Sequence, residues 1–448
     1  MSQSLPIFVV PLVLCSLAVA QKDPGTGWAN WRGPDSAAIA RVGNPPTEWS
    51  EEKNIRWKVA LPGLGNSSPI VWGDRIYVTT AVETDEKGTP PAFERVRDTD
   101  VSGRTYVSGG VQTQVFDFLV LALDREDGSV VWQTTVKKAV PHEGGHATNT
   151  QSSSSPITDG EHVYVHLGSR GVFCLNMDGE IQWSKEFGLM QTHLGFGEGI
   201  SPVLHGDTLI INWDHEKDSF IAAFDKKSGE ELWRTARDEG TTWATPLIAP
   251  ADGKLQVVTA GTTSSRGYDL QTGELLWTLG GLGINAIPSP IYAGGVVYLM
   301  TGFNGYVLQA VRLDGAEGDL EGTENVVWTH DRDTSYTPSP LIYDDLLYFL
   351  RGNNGVLSCL DPKTGRVHYE GQRMRMRTVY SSPVGAAGRV YLTSRDGFTK
   401  VIKHGVEYEE LATNQLDDGF DASAAIVGDE IYLRGKQNLY CIAETDRK

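Results

Sequence analysis

One segment recurs along this chain and leaves little choice of fold. It reads apolar residue, Asp, a short polar turn, Gly, three residues, then Trp. AFDKKSGEELW spans Ala223 to Trp233, ALDREDGSVVW ends at Trp132 and GYDLQTGELLW ends at Trp277. CLDPKTGRVHY ends in Tyr369 instead, and NMDGEIQW, ending at Trp183, is a shortened copy. The pattern is that of a strand running into a tight turn whose Gly accepts a positive φ, and of a second strand running out. The indole is too large to bury within one four-stranded sheet, so it is expected to wedge between neighbouring units. Trp57, Trp132, Trp183, Trp233, Trp277, Trp328 and Tyr369 are the expected docking residues.

A second element precedes each of these: Ser or Thr, Pro, an apolar residue, a turn with Gly or Asp, and an alternating strand. The prolines are Pro69, Pro156, Pro202, Pro246, Pro290, Pro340 and Pro383, with Ala424 in the eighth place. Most spacings fall between 41 and 50 residues, and the first is 87. A period near 40 to 50 with about four short strands per unit is the signature of a β-propeller. The expectation is therefore an all-β, eight-bladed propeller with four-stranded antiparallel blades. After LYCIA the chain has no outer Trp strand, whereas IRWKVAL, Ile55 to Leu61, is an outer strand without a blade. Pairing the two closes the ring and removes an open edge. An open β-solenoid, the rival architecture, leaves that N-terminal strand unexplained.

Residues 1–20 read as a secretory signal peptide, with an apolar run from Leu5 and Ala18-Val19-Ala20 before Gln21. The protein is thus expected to be exported, periplasmic or extracellular, and not membrane-spanning. Residues 21–49, with WANWRGPDSAAIA, are expected to form an irregular arm on the propeller flank, anchored by Trp28 and Trp31, and residues 50–448 the propeller. A net charge of −18 argues against nucleic-acid binding, which needs basic patches. Cys174, Cys359 and Cys441 occupy the same strand position in non-neighbouring blades, too far apart for a disulfide, and are expected to be buried free thiols.

His142-Glu143-Gly144-Gly145-His146 matches the string H-E-x-x-H, but a preceding proline and two internal glycines deny it the helix that zinc-protease chemistry needs. It reads as a loop into blade two whose histidines line one face. Asp214-His215-Glu216-Lys217-Asp218 reads as a solvated charged turn, with cation binding as the alternative. No metal site and no catalytic residue is assigned. The insertion Ala81 to Phe116 falls between the second and third strands of blade one, on the side of the loops leading into the inner strands, where long insertions often carry function. Residues just before each inner strand should surround the mouth of the channel: Asn66, Gln151, Glu198, Trp243, Asn285, Tyr336, Tyr380 and Asp421. With His142 and His146 they are the candidate ligand- or partner-binding residues, since aromatics, amides and carboxylates at a concave mouth suit a ligand site.

The A-x-D-x-x-T/S-G-x-x-x-W strings resemble the tryptophan-docking motif of the pyrroloquinoline quinone (PQQ) propeller repeats, and with WANWRGPDSAAIA the chain is similar to exported bacterial PQQ-like propeller proteins. The resemblance implies one of two functions. Quinoprotein dehydrogenases use PQQ and calcium to oxidise alcohols or sugars; the propeller lipoprotein of the outer-membrane assembly machine binds a protein partner. No two cysteines are adjacent here, as the dehydrogenases commonly have, and no lipobox precedes the first cysteine. A non-catalytic exported propeller, binding a protein partner or ligand at one face without a cofactor, is the expectation. A PQQ- and calcium-dependent dehydrogenase is the alternative.

Overall fold

A computed structural model describes residues 27–100 and 102–445, so residues 1–20, expected to be a signal peptide, lie outside the described residues. The strands form eight sheets, each built on four antiparallel strands and arranged as an eight-bladed β-propeller. Blade one runs Ile70–Trp72, Arg75–Lys87, Gln114–Asp124 and Val130–Ala139 from channel to rim. Blades two to seven open with the inner strands Ile157–Thr158, Val203–His205, Leu247–Ala251, Ile291–Ala293, Leu341–Tyr343 and Val384–Ala386. Blade eight takes Ala425–Val427, Glu430–Arg434 and Asn438–Ile442 from the C-terminal end, and its outer strand is Ile55–Ala60. The closing pairs are antiparallel, Ile55 opposite Ile442, Trp57 opposite Cys441 and Ala60 opposite Asn438. No helix among the described residues is long and apolar enough to cross a membrane.

The Ser/Thr-Pro starts have a structural role that their sequence position alone does not reveal. Each hydroxyl accepts the backbone N–H of its counterpart in the preceding blade. Ser68 donates to Ser155 at 2.8 Å, Ser155 to Ser201 at 2.9 Å and Ser201 to Thr245 at 3.3 Å. Thr245 donates to Ser289 at 2.9 Å, Ser289 to Ser339 at 2.9 Å and Ser339 to Ser382 at 3.0 Å. Ser382 then donates to Ser423 at 2.9 Å, and Ser423 returns to Ser68 at 3.0 Å. The first seven bonds span 87, 46, 44, 44, 50, 43 and 41 residues, which are the repeat spacings, and the eighth spans 355 and closes the belt. In every blade but the seventh, no other strand pairs with the channel side of the inner strand, so its N–H groups need other partners. The hydroxyl supplies one, and in the seven blades where proline follows there is no further N–H to satisfy; Ala424 takes that place in blade eight.

A second belt lies at the rim. The indole N–H of Trp57 donates to Arg125 O at 3.1 Å, Trp132 to Met177 O at 2.8 Å and Trp183 to Lys226 O at 2.9 Å. Trp233 donates to Leu270 O and Trp328 to Pro362 O, both at 2.9 Å. Each acceptor is in the turn of the next blade, and the turn glycine there packs on the ring. Gly273, at φ 69–76° like its counterparts in three other blades, leaves no room for a Cβ, which would lie 2.4 Å from Trp233 Cε3. Trp277 departs from the pattern: its indole donates to Gln256 Oε1 of its own sheet at 2.8 Å. Blade five has a longer turn there, and its Gly318–Asp319 strand pairs in parallel with Leu275–Gly280 to cover that edge. Tyr369 meets Tyr408 edge-on at 6.2 Å. Blade seven has no outer Trp, and the buried Trp49, stacked on Tyr391 at 6.4 Å, fills the space between blades seven and eight.

The N-terminal arm runs across one end of the ring instead of along its flank. Trp28 is fully buried and bridges to Val71 of blade one. Trp31 lines the channel together with the residues of the serine belt, and Arg32 donates to Pro340 O of blade six at 2.8 Å. Ile39–Ala40 then pairs in parallel with the inner strand of blade seven. The three cysteines are buried and unpaired, and burial pushes each thiol up to about 12, which makes them inert hydrophobes.

Two substitutions test the belts, with a third as a control. Ser289→Ala leaves the Thr245 N–H buried without a partner and should cost about 1–3 kcal/mol, read as a fall in the denaturation midpoint. Gly273→Ala and Gly294→Ala both place Ala at positive φ, a strain of about 1 kcal/mol, but a Cβ at Gly294 meets nothing within 4 Å. Gly273→Ala should therefore be the more destabilising by at least about 1 kcal/mol. Equal losses would mean that the turn glycine does not dock the indole.

Candidate functional site

Loops leading into the inner strands share one face of the ring with loops between second and third strands, and this upper face carries a cavity of about 470 Å³ at the channel mouth. Six of the ten sequence candidates line it: Asn66, His146, Trp243, Tyr336, Tyr380 and Asp421. Four further aromatic or aliphatic side chains complete the wall: Tyr106, Phe196, Ile287 and Phe303. Phe303 stacks on Tyr336 at 4.7 Å, and Phe196 has His146 edge-on at 5.2 Å. Trp243 is oriented by its indole N–H, which donates to Gly197 O at 2.7 Å. Burial raises the Tyr336 phenol to about 12, so it stays a neutral donor.

Asp421 is the only carboxylate on this wall, and no Lys or Arg side chain lines it. Its Oδ1 lies 2.5 Å from Arg395 Nε and its Oδ2 accepts from Nη2 at 3.0 Å. Burial raises the Asp421 carboxyl above its ordinary value, against the opposing pull of Arg395 and Lys436. Arg395 lies flat on Tyr380, 4.4 Å from the ring centre, so its charge is spent beneath the wall.

The other four candidates turn inward. Glu198 is buried against Arg170 at 2.7 Å and accepts from the Ser169 N–H and hydroxyl. Burial alone would raise its carboxyl, but Arg170, His142 and Ser169 outweigh burial and hold it below the ordinary value. Gln151 bridges Arg170 to the Glu143 and Gly144 carbonyls. Asn285 is buried beside Tyr336. His142 faces Met190 O at 2.7 Å, packed under Phe93, so only His146 of the H-E-x-x-H string reaches the cavity. The string is irregular, as its glycines require, and its Glu143 is spent on Arg95 and Thr192.

The insertion between the strands of blade one folds over blades two and three. Its Val96 N–H donates to Gln191 Oε1 at 2.7 Å, its Ser108 N–H to Leu194 O at 2.8 Å, and it delivers Tyr106 to the cavity. Sequence reasoning missed Tyr106, Phe196 and Phe303 because it took only residues just before inner strands. The length of the insertion was the available signal for Tyr106. The segment Asp214 to Asp218 also differs from its expected solvated state. Asp214 is fully buried in a paired contact with Arg237 at 2.6 and 3.0 Å.

The family model described as outer membrane protein assembly factor BamB matches residues 99–215 and 217–448. Among solved structures, BamB from Moraxella catarrhalis is 15% identical over 82% of this chain and 97% of that one, with a TM-score of 0.53. Quinohemoprotein alcohol dehydrogenase from Comamonas testosteroni is 11% identical over 96% of this chain and 82% of that one, with a TM-score of 0.62. A europium-containing methanol dehydrogenase is 12% identical over 93% and 91%, with a TM-score of 0.51. At these identities the structures share the fold alone. No curated protein matches the chain.

Below the wall, His166 is buried with its Nδ1 on Ile200 O at 3.1 Å and its Nε2 without a partner. Burial lowers its pKa from 6.5 to about 4. The unfolded chain takes up that proton first, so this residue's contribution should fall by up to about 3 kcal/mol as pH drops through that window. Denaturant unfolding at pH 7 and pH 4.5 should show a shallower pH dependence in His166→Gln than in the wild type.

Proposed function

The chain belongs to the PQQ-like β-propeller family, whose model is described as outer membrane protein assembly factor BamB, and on that premise we propose that it is a non-catalytic exported propeller that binds a protein partner through its upper face. The observation that carries this reading is the chemistry of the cavity wall: six aromatic rings, amides and one spent carboxylate, with no cationic side chain. PQQ is a planar quinone with three carboxylates, and this wall offers no counter-charge. Calcium takes six to eight oxygen ligands, and the one wall carboxylate already accepts from Arg395. The residues present therefore do not fit the dehydrogenase cofactors.

Tyr106 and Phe303 of the cavity wall are themselves exposed, and further exposed apolar side chains stand on the upper-face segments that carry them: Val107 and Val111 on the insertion of blade one, and Tyr306 on the loop of blade five. Exposed apolar groups rimming an aromatic pocket suit an aliphatic or aromatic side chain of a partner, inserted as an anchor with its flanks on the rim. The assembly-factor description of the family and the leader-like residues 1–20 support export and a protein partner.

Photo-crosslinkers placed at Val111 and Tyr306 should capture the same discrete partner in cells, and one at Val406, on the opposite face, should not. Trp243→Ala should remove the crosslink while leaving the fold intact. A purified chain that oxidises alcohols or sugars on addition of PQQ and calcium would overturn the reading.

A further inference from the structure

The charged turn of blade three holds a group of side chains that the reading above does not use. Glu216 meets Asp98 of the insertion and His193 of the connection between blades two and three, with one ligand atom of each within 4.8 Å of the others. These three residues come from separate segments and converge only because the insertion folds back over the ring. His193 Nδ1 lies 2.8 Å from Asp98 Oδ1, and the two side chains are 15% and 7% exposed.

Surrounding backbone and hydroxyl groups hold each carboxylate by its other oxygen, and His193 by its backbone. The Leu194 N–H donates to Asp98 Oδ2, which leaves Oδ1 towards the imidazole. The Thr241 N–H and hydroxyl donate to Glu216 Oε1 at 3.0 and 2.7 Å, which leaves Oε2. Thr241 Oγ1 also accepts the backbone N–H of His193 at 2.8 Å, so one residue ties down the segments that carry two ligands. Such outer contacts are what orient a metal's ligands. Two carboxylates this close repel unless a positive charge lies between them. The nearest guanidinium, Arg95, is 3.9 Å from Asp98 and committed to Glu143. The other such group among the described residues, Asp159, Glu161 and His162, differs, because Lys226 already neutralises it from 2.9 Å.

From this convergence we infer that Asp98, His193 and Glu216 bind a zinc ion that staples the insertion to blades two and three. One imidazole nitrogen and two carboxylate oxygens, completed by water, make a four-coordinate site of the kind Zn²⁺ takes. Ca²⁺ and Mg²⁺ prefer more oxygens and no nitrogen. The staple sits beside Ser108 and Tyr106, so it fixes one wall of the aromatic cavity. It stands whether or not the cavity takes a protein anchor.

The test uses the full chain stripped with a chelator. Titration with Zn²⁺ in a calorimeter should show one ion per chain, and Co²⁺ in its place should give the visible absorption bands of a tetrahedral site. Glu216→Gln and His193→Gln should each weaken Zn²⁺ binding at least tenfold. Zinc should slow tryptic cleavage after Arg97 and Arg104 in the wild type and in neither variant. If one variant fails to fold, the other and the wild-type titration still decide. No stoichiometric uptake by the folded wild type, unchanged affinity in the variants, or preference for Ca²⁺ or Mg²⁺ would each overturn the assignment.

Discussion

Eight hydroxyls around the channel, each accepting a backbone N–H from the blade before it, hold the rest of this structure in place. Except in blade seven, where Ile39–Ala40 pairs with it, the inner strand presents to the channel an edge that no other strand covers, and an edge of that kind is either satisfied or sticky. The Ser/Thr-Pro pair satisfies it with one accepted hydrogen bond and one deleted donor. Because each bond crosses from one blade to the next, the same contact that satisfies the edge also sets the angle between blades. The last bond, from Ser423 to Ser68, exists only if all eight angles sum to a closed ring. The indole belt at the rim then repeats the logic at larger radius, where the gap between blades is wide enough to need a ring system and a glycine.

Much of this was legible in the sequence, and the part that was not has a physical reason. The period and the stray strand Ile55 to Leu61 were enough for eight blades and for the closing pair, since both are matters of counting along the chain. The Ser/Thr positions were visible as strand starts, yet their partners lie one blade away and appear only once the ring is built. Trp277 fits the docking string as well as Trp233 does. It turns into its own sheet because of a turn in the following blade, which no local string encodes. At the mouth, Gln151 and Glu198 occupy the same position in their repeats as Trp243, but Arg170 rises between them and draws both inward. The register names the position, and the neighbouring charge decides which way the side chain faces.

The upper face shows how a symmetric scaffold becomes a particular site. The belts give eight equivalent mouths. Asymmetry enters through what is inserted between second and third strands, chiefly the long segment of blade one that brings Tyr106 across to Phe196 at 6.4 Å. Aromatic rings from blades two to seven then enclose one apolar space whose single carboxylate is already matched. Such a wall discriminates by shape and desolvation rather than by charge, and the excess negative charge of the protein lies elsewhere.

The closing strand has a consequence for how the molecule comes into being. Ile55–Ala60 leaves the ribosome long before its partner Asn438–Ile442, with about 380 residues between them. At roughly 5–20 residues per second the wait is on the order of 20–80 s. During that time blade one can form, but the ring is an open arc with Trp57 waiting for a sheet. Growth is local and blade by blade, whereas closure is a single long-range event that comes last. The chain is thus kept from its final shape by its own topology until its C-terminal strands are made, and an unclosed arc is easier to unravel than a finished ring.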